Sequence, residues 1–171
     1  QLMGGQEFSQ YCIKTLNQWY TSRESKFILP EDWQECGSNK TLEDFRGQRC
    51  FVGIDLSSGG DLTTVSLDFP LDDGSDHFFS HSFMPRGRFL EHIQSDLAPY
   101  DVWEDQGLVT LTGGESSFIT DYLYLIKWMH EVQEEYELDF MGIGYDRHNI
   151  SGILTLLDDF GCPVREVVQS A

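Results

Sequence analysis

The stretch from Phe51 to Val65, FVGIDLSSGGDLTTV, restricts the fold open to this chain more than any other. An apolar strand, Phe51-Val52-Gly53-Ile54, ends on the carboxylate of Asp55, and Ser57-Ser58-Gly59-Gly60 then reverses the chain into a second strand through Leu62 and Val65. An ionised carboxylate at the end of a strand apolar enough for mid-sheet loses hydration, unless a cation, a hydrogen-bond network or a ligand compensates it. Asp55 is therefore the first candidate for a metal-dependent site. An Asp in this place also shapes turns by accepting from the backbone N–H of Ser57 or Ser58, and the residues alone leave the two roles evenly matched.

The chain has 171 residues, 40% of them hydrophobic, which suffices for one sizeable core with an appendage. Its apolar runs are too short to span a bilayer and its N-terminus has no basic-then-apolar leader pattern, so a soluble intracellular protein with no membrane partner is expected. Cys12, Cys36, Cys50 and Cys162 show neither CxxC nor zinc-ribbon spacing and read as reduced structural thiols. With 11 Lys and Arg against 29 Asp and Glu, the net charge of -18 opposes tight unassisted binding to a phosphate backbone. It equally suits an acidic surface that keeps the protein in solution.

Apolar residues Phe8, Tyr11, Cys12, Leu16 and Trp19 predict a helix over residues 6–22. Pro30 opens a second short helix, and Thr41-Leu42-Glu43-Asp44 has the form of a capping box. Residues 1–46 read as a linker arm and 47–171 as the folded domain. Strands are expected at Cys50–Leu56, Leu62–Phe69 and His77–Phe83 in an antiparallel meander, then a helix over Arg88–Leu97, a Pro99-led short helix and the apolar Leu108–Leu111. A helix over Ser117–Glu137 puts Phe118, Ile119, Tyr122, Leu125, Ile126, Met129 and Tyr136 on one face; a buried strand over Phe140–Tyr145 ends at Asp146, and a helix over Ile150–Phe160 leads to a last strand, Val164–Val168. The sum, β-β-β-α-β-α-β, is an α/β fold of the ribonuclease H-like kind: a five-stranded mixed sheet, three antiparallel strands then two helix-connected parallel ones, flanked by helices. Right-handed crossovers would set the Asp146 strand beside the Asp55 strand, so two distant acids become one site.

Other residues invite chemical readings beside plainer ones. Asp61 in Gly-Gly-Asp makes a good hairpin turn in its own right, and Asp146 suits an N-cap for the helix near Ile150. His77 and His81, four residues apart on a strand, stand roughly 13 Å apart, too far to share an ion, and read as cross-strand surface pairs. Arg86, Arg88, Arg147 and His148 are the cations best placed near the strand ends to meet phosphate, Arg147 first among them, although scattered arginines are usually only solvated. Trp33, Trp103 and Trp128 read as packing aromatics, and Glu131, Glu134, Glu135 and Glu137 as a solvated helix face.

Taken in order, Gly53-Ile54-Asp55-Leu56-Ser57 with Asp61-Leu62-Thr63, Tyr100-x-x-Trp103 ahead of Gly107-Leu108, Thr112-Gly113-Gly114 and Tyr145-Asp146 resemble the nuclease domain of the tailed-bacteriophage terminase large subunit, from about Asn17 to Val168. The resemblance implies an endonuclease that cuts double-stranded DNA during genome packaging in the bacterial host's cytoplasm. Its implied partners are the portal, the small terminase subunit and a motor ATPase domain ahead of the nuclease. No GxxxxGK[ST] phosphate loop occurs here, so the implied object is a piece without the ATPase.

The resemblance also implies acids holding two Mg2+ or Mn2+ ions, with Asp55 matching the first acid, Asp146 the second, and Asp61 as a nearby ligand or a support to one. Such ions, roughly 3.5 to 4 Å apart, would activate a water on one side of the phosphorus and stabilise the leaving 3′ oxygen on the other. The family's third acid lies beyond the fifth strand, where this sequence stops, so weak metal binding and poor cleavage are expected of the 171-residue chain. Two alternatives stay open. Gly53 to Gly60 is also similar to the first phosphate loop of actin-like and sugar-kinase ATPases, without their second lobe or second loop; and the acidic surface suits a docking module of the packaging motor that has no catalysis.

Overall fold

The computed structural model describes residues 28–58, 60–96 and 98–168, so the helix expected over 6–22 lies outside the described residues. The chain divides into two units, 1–40 and 41–171. In the first, Pro30–Glu35 forms α1 with proline in its first turn. Trp33 on this helix is exposed rather than packed.

The second unit opens on a 3-10 turn, Leu42–Phe45, closed by the expected capping box between Thr41 and Asp44. That turn delivers Phe45 into the core beside Phe69. The sheet then builds from β1 (Arg49–Asp55), β2 (Thr63–Pro70), β3 (Asp76–Pro85), β4 (Val109–Thr112), β5 (Asp139–Tyr145) and β6 (Val164–Glu166), in the order β4-β3-β2-β1-β5-β6. The meander β1-β2-β3 is antiparallel, and β5 and β6 continue parallel to β1. A sixth strand joins the five expected: β4 pairs parallel with the outer edge of β3. Four residues are too few for periodicity to separate a strand from a loop.

Alternation along β1 buries Cys50, Val52 and Ile54, which meet Val65, Leu67 and Phe69 of β2 and Phe140 and Ile143 of β5. Against this face pack α4 (Leu123–Glu135), through Leu125, Ile126, Met129 and Val132, and the short helix α5 (Leu154–Leu157). Helix α4 starts later than the expected Ser117, and Phe118 and Ile119 are exposed. Tertiary hydrogen bonds hold that segment as a loop: Gly87 N–H donates to Ser117 O at 2.8 Å and Arg88 Nε to Phe118 O at 3.1 Å. The helix expected over Ile150–Phe160 is broken around Gly152 into α5 flanked by two 3-10 turns, Ile150–Gly152 and Asp158–Phe160. Its apolar residues Ile150, Ile153, Leu157 and Phe160 still reach the core.

Both histidines of β3 differ from the surface pairing expected. They share the core-facing side with Phe79 and Phe83, so His81 is buried, stacked on Trp128 with ring centroids 4.8 Å apart and with Nε2 2.8 Å from Thr110 Oγ1. His77 stacks on Phe45. Burial lowers the His81 pKa, with a hydrogen bond from the ring to the Gly107 backbone carbonyl opposing.

Met84, one residue past core-facing Phe83, points to the opposite face, where it joins Val109 and Leu111 of β4. Two helices cover this part: α2 (Phe89–Asp96), entered through a 3-10 turn at Arg86–Arg88, and α3 (Tyr100–Asp105), contributing Phe89, Ile93, Tyr100 and Trp103. Over β5, β1 and β2 the same face forms the floor of a groove of about 950 Å3.

Candidate active site

Every strand except β2 ends on the same edge of the sheet, and β2 starts there. The core takes Val52 and Ile54, so Gly53 and Asp55 turn to the groove. On β5 the outcome depends on one irregularity. Cys50 pairs with Phe140 but Phe51 with Gly142, which leaves Met141 as an extra residue. Past it, Ile143 lies beside Val52 in the core and Gly144 beside Gly53 on the groove. The last pair is Ile54 with Tyr145, so Asp55 and Asp146 follow at neighbouring strand ends, and both line the groove.

Each acid has a local setting that bears on its plain reading as a turn or cap residue. Ser57 N–H donates to Thr63 Oγ1 at 2.9 Å, so the Asp55 carboxylate is not what closes the turn at Ser57. Asp55 is exposed, opposite Thr64 of β2, whose hydroxyl lies 2.9 Å from Ser82 Oγ. Asp146 is not the helix cap either; the residue ahead of the Ile150 turn is Asn149. The Asp146 side chain is 22% exposed, and Oδ1 accepts from His148 N–H within its own loop at 2.9 Å.

The remaining sequence candidates are less close. Asp61 sits in the β1–β2 hairpin at the same edge, exposed and outside the groove lining, with Oδ1 accepting from Leu62 N–H at 2.8 Å. Arg147 and His148 are exposed immediately after Asp146. Arg86 and Arg88 follow β3, two strands and roughly 10 Å from β1. Arg86 is exposed, whereas Arg88 holds Phe118 O and lies 3.7 Å from Glu91.

Three groove residues escape sequence reasoning. Thr64 is a hydroxyl among many, Arg165 lies on a strand too short to show alternation, and Asp68 reads as a polar position of β2. Asp68 sits between Phe51 and Phe78 in the sheet, with Oδ1 buried and without a hydrogen-bond partner, and burial raises its pKa, helped by nearby Asp76.

Among the described residues, no group of three or more His, Cys, Asp or Glu is close enough to hold a metal ion. The donors present still match a hard cation: two carboxylates at neighbouring strand ends on one groove, with a hydroxyl on the next strand. Mg2+ commonly keeps several waters and takes one or two protein carboxylates together with substrate phosphate.

Known proteins are similar to this chain in sequence and in fold. The family model for the terminase large subunit, endonuclease domain, matches residues 5–171. The terminase large subunit of Enterobacteria phage HK97 is 32% identical over 129 residues, covering 75% of this chain and 24% of that protein. Protein YmfN of Escherichia coli (strain K12) is 27% identical over 126 residues, covering 68% of this chain and 27% of that one. The crystal structure of the HK97 bacteriophage large terminase superposes with a TM-score of 0.67 at 29% identity, over 85% of this chain and 29% of that chain. The present chain thus spans about a quarter of the length of these curated relatives. With the family model matched over nearly its whole length, the chain belongs to the terminase large subunit endonuclease domain family.

Proposed function

We propose that this domain is the metal-dependent endodeoxyribonuclease of a phage DNA-packaging terminase, cutting double-stranded DNA with two divalent cations. The observation that carries the reading is the placement of Asp55 and Asp146 at neighbouring parallel strand ends in one groove. In this reading the two carboxylates hold Mg2+ or Mn2+, whose contribution is activation of water and neutralisation of charge on the phosphate. Arg165 within the groove and Arg147 beside Asp146 receive phosphate oxygens, and Arg86 extends that path along the edge. These cations are local exceptions on a chain of net charge -18, which makes DNA binding dependent on the metal. Asp61, bonded to its own loop, stands outside the proposed ligand set. The portal, the small terminase subunit and an ATPase domain, acting in the host cytoplasm, are the partners this role brings.

One observation favours a docking module without catalysis: among the described residues no third acid joins the pair. Against a phosphate loop in the β1–β2 hairpin stands Ser57 N–H, which is taken by Thr63 Oγ1. The deciding experiment is nicking of supercoiled plasmid in Mn2+ by this chain, by a version extended past Ala171, and by Asp55→Asn and Asp146→Asn in each. Cleavage that falls to background in either variant supports the nuclease. Undiminished cleavage by Asp55→Asn refutes it, and no cleavage by any version moves the assignment to the docking module.

A further inference from the structure

We infer that Asn149 is a positioning residue that sets the Asp55 and Asp146 carboxylates relative to each other; the inference rests on reading those acids as ligands of a divalent cation. The β1–β5 ladder aligns the strands only as far as Ile54 and Tyr145. Beyond that pair the chains part, one into the hairpin through Leu56 and the other into the loop of residues 146–149. A side-chain bond crosses back: Asn149 Nδ2 donates to Leu56 O at 3.3 Å.

Both ends of this bond are anchored. On the β1 side Leu56 is buried, and the next carbonyl, Ser57 O, accepts from Thr63 Oγ1 and Tyr122 OH, each at 3.0 Å. On the β5 side Ile150 is buried directly after Asn149. Asn149 itself has φ 62 and ψ 0, a left-handed conformation that Asn adopts more readily than most side chains. Asp146 Oδ1 is engaged by His148 N–H, so the direction of that carboxylate follows the position of the loop. A bond that fixes the loop against β1 therefore fixes one ligand against the other.

The test is Mn2+ binding by the whole chain, titrated to millimolar ion and read from the EPR signal of free Mn2+, with the metal-free Tm measured in parallel. Wild type is compared with Asp55→Asn, Asn149→Gly and Asn149→Ala. Glycine keeps the left-handed backbone and removes only the amide, whereas alanine also strains the backbone. Asn149→Gly is expected to bind Mn2+ on the order of tenfold more weakly, with a Tm within about 2 °C of wild type. Asn149→Ala should show the same weakening and a further drop in Tm. Unchanged affinity in Asn149→Gly, alongside weakened binding in Asp55→Asn, overturns the positioning role and leaves Asp55 as a ligand. A Tm loss above about 5 °C in Asn149→Gly makes the residue a structural clamp and also overturns it. Wild-type affinity in Asp55→Asn, or no Mn2+ uptake by wild type, defeats the ligand reading and this inference together.

Discussion

Phe45 tests whether the capping-box turn belongs to the folded domain or to the arm ahead of it. The ring is 2% exposed, with its centroid 4.6 Å from that of Phe69, edge-on to Phe79 at 5.4 Å and stacked on His77 at 4.9 Å. Truncating such a ring removes its transfer free energy and leaves a cavity among aromatics, so Phe45→Ala should cost about 4 kcal/mol. At about 3 °C per kcal/mol for a unit of this size, Tm falls by about 12 °C. The assay is urea unfolding followed by tryptophan fluorescence, with an unchanged m-value showing that the native state stays intact. Phe78→Ala is the internal control, because that ring lies on the groove side of β3 and is 61% exposed; its cost should stay within about 0.5 kcal/mol. A loss below about 1.5 kcal/mol for Phe45→Ala, or equal losses for the two variants, would refute the assignment of the turn to the sheet's core.

Burial holds the His81 pKa below its ordinary value, so between pH 7 and 5 the unfolded chain takes up a proton that the native state resists. The stability present above the unfolded pKa is lost as pH falls through it; His81→Phe should flatten the urea midpoint over that range relative to wild type, and an identical pH slope would refute this. Cys50 is buried and its thiol is pushed up to about 12, chiefly by desolvation, whereas Cys36 is exposed. Native-state thiol labelling mapped by mass spectrometry should mark Cys36 and leave Cys50 unlabelled until urea is added; rapid native labelling of Cys50 would contradict the packing. Thr63 is fully buried and its hydroxyl serves both Ser57 N–H and Ser57 O, so Thr63→Val strands those groups. The expected cost is about 1 to 3 kcal/mol by urea unfolding, and a value under about 0.5 kcal/mol would show that the hairpin does not depend on the bond.

What the sequence displayed and what it concealed follow from the range of the interactions involved. Alternating Cys50, Val52 and Ile54 announce a half-buried strand from local pattern, and Pro30 and the Thr41–Asp44 box announce their turns from local chemistry. The segment before α4 misleads because Phe118 and Ile119 fit a helical stripe by spacing, while the bonds that hold them as a loop come from Gly87 and Arg88, some thirty residues away. His81 misleads by its polarity: its position on β3 makes it core-facing, and the stack on Trp128 and the bond to Thr110 that make burial tolerable both come from distant elements.

The candidate site shows the same division. Asp55 is legible because its side of the sheet follows from uninterrupted alternation with Val52 and Ile54. Asp146 is legible as the end of an apolar strand, but its side of the sheet is not, because parity counted back through Met141 to Phe140 gives the wrong face. Phe140 and Ile143 are both in the core although three residues apart, and only the extra residue opposite the Cys50–Phe51 step reconciles them. A one-residue slip reverses every side chain beyond it, so an unbulged β5 would send Asp146 toward the core while Asp55 stayed on the groove. The proximity of the two acids is therefore a property of strand order and of one irregularity in the β1–β5 ladder, neither of which hydrophobic periodicity records.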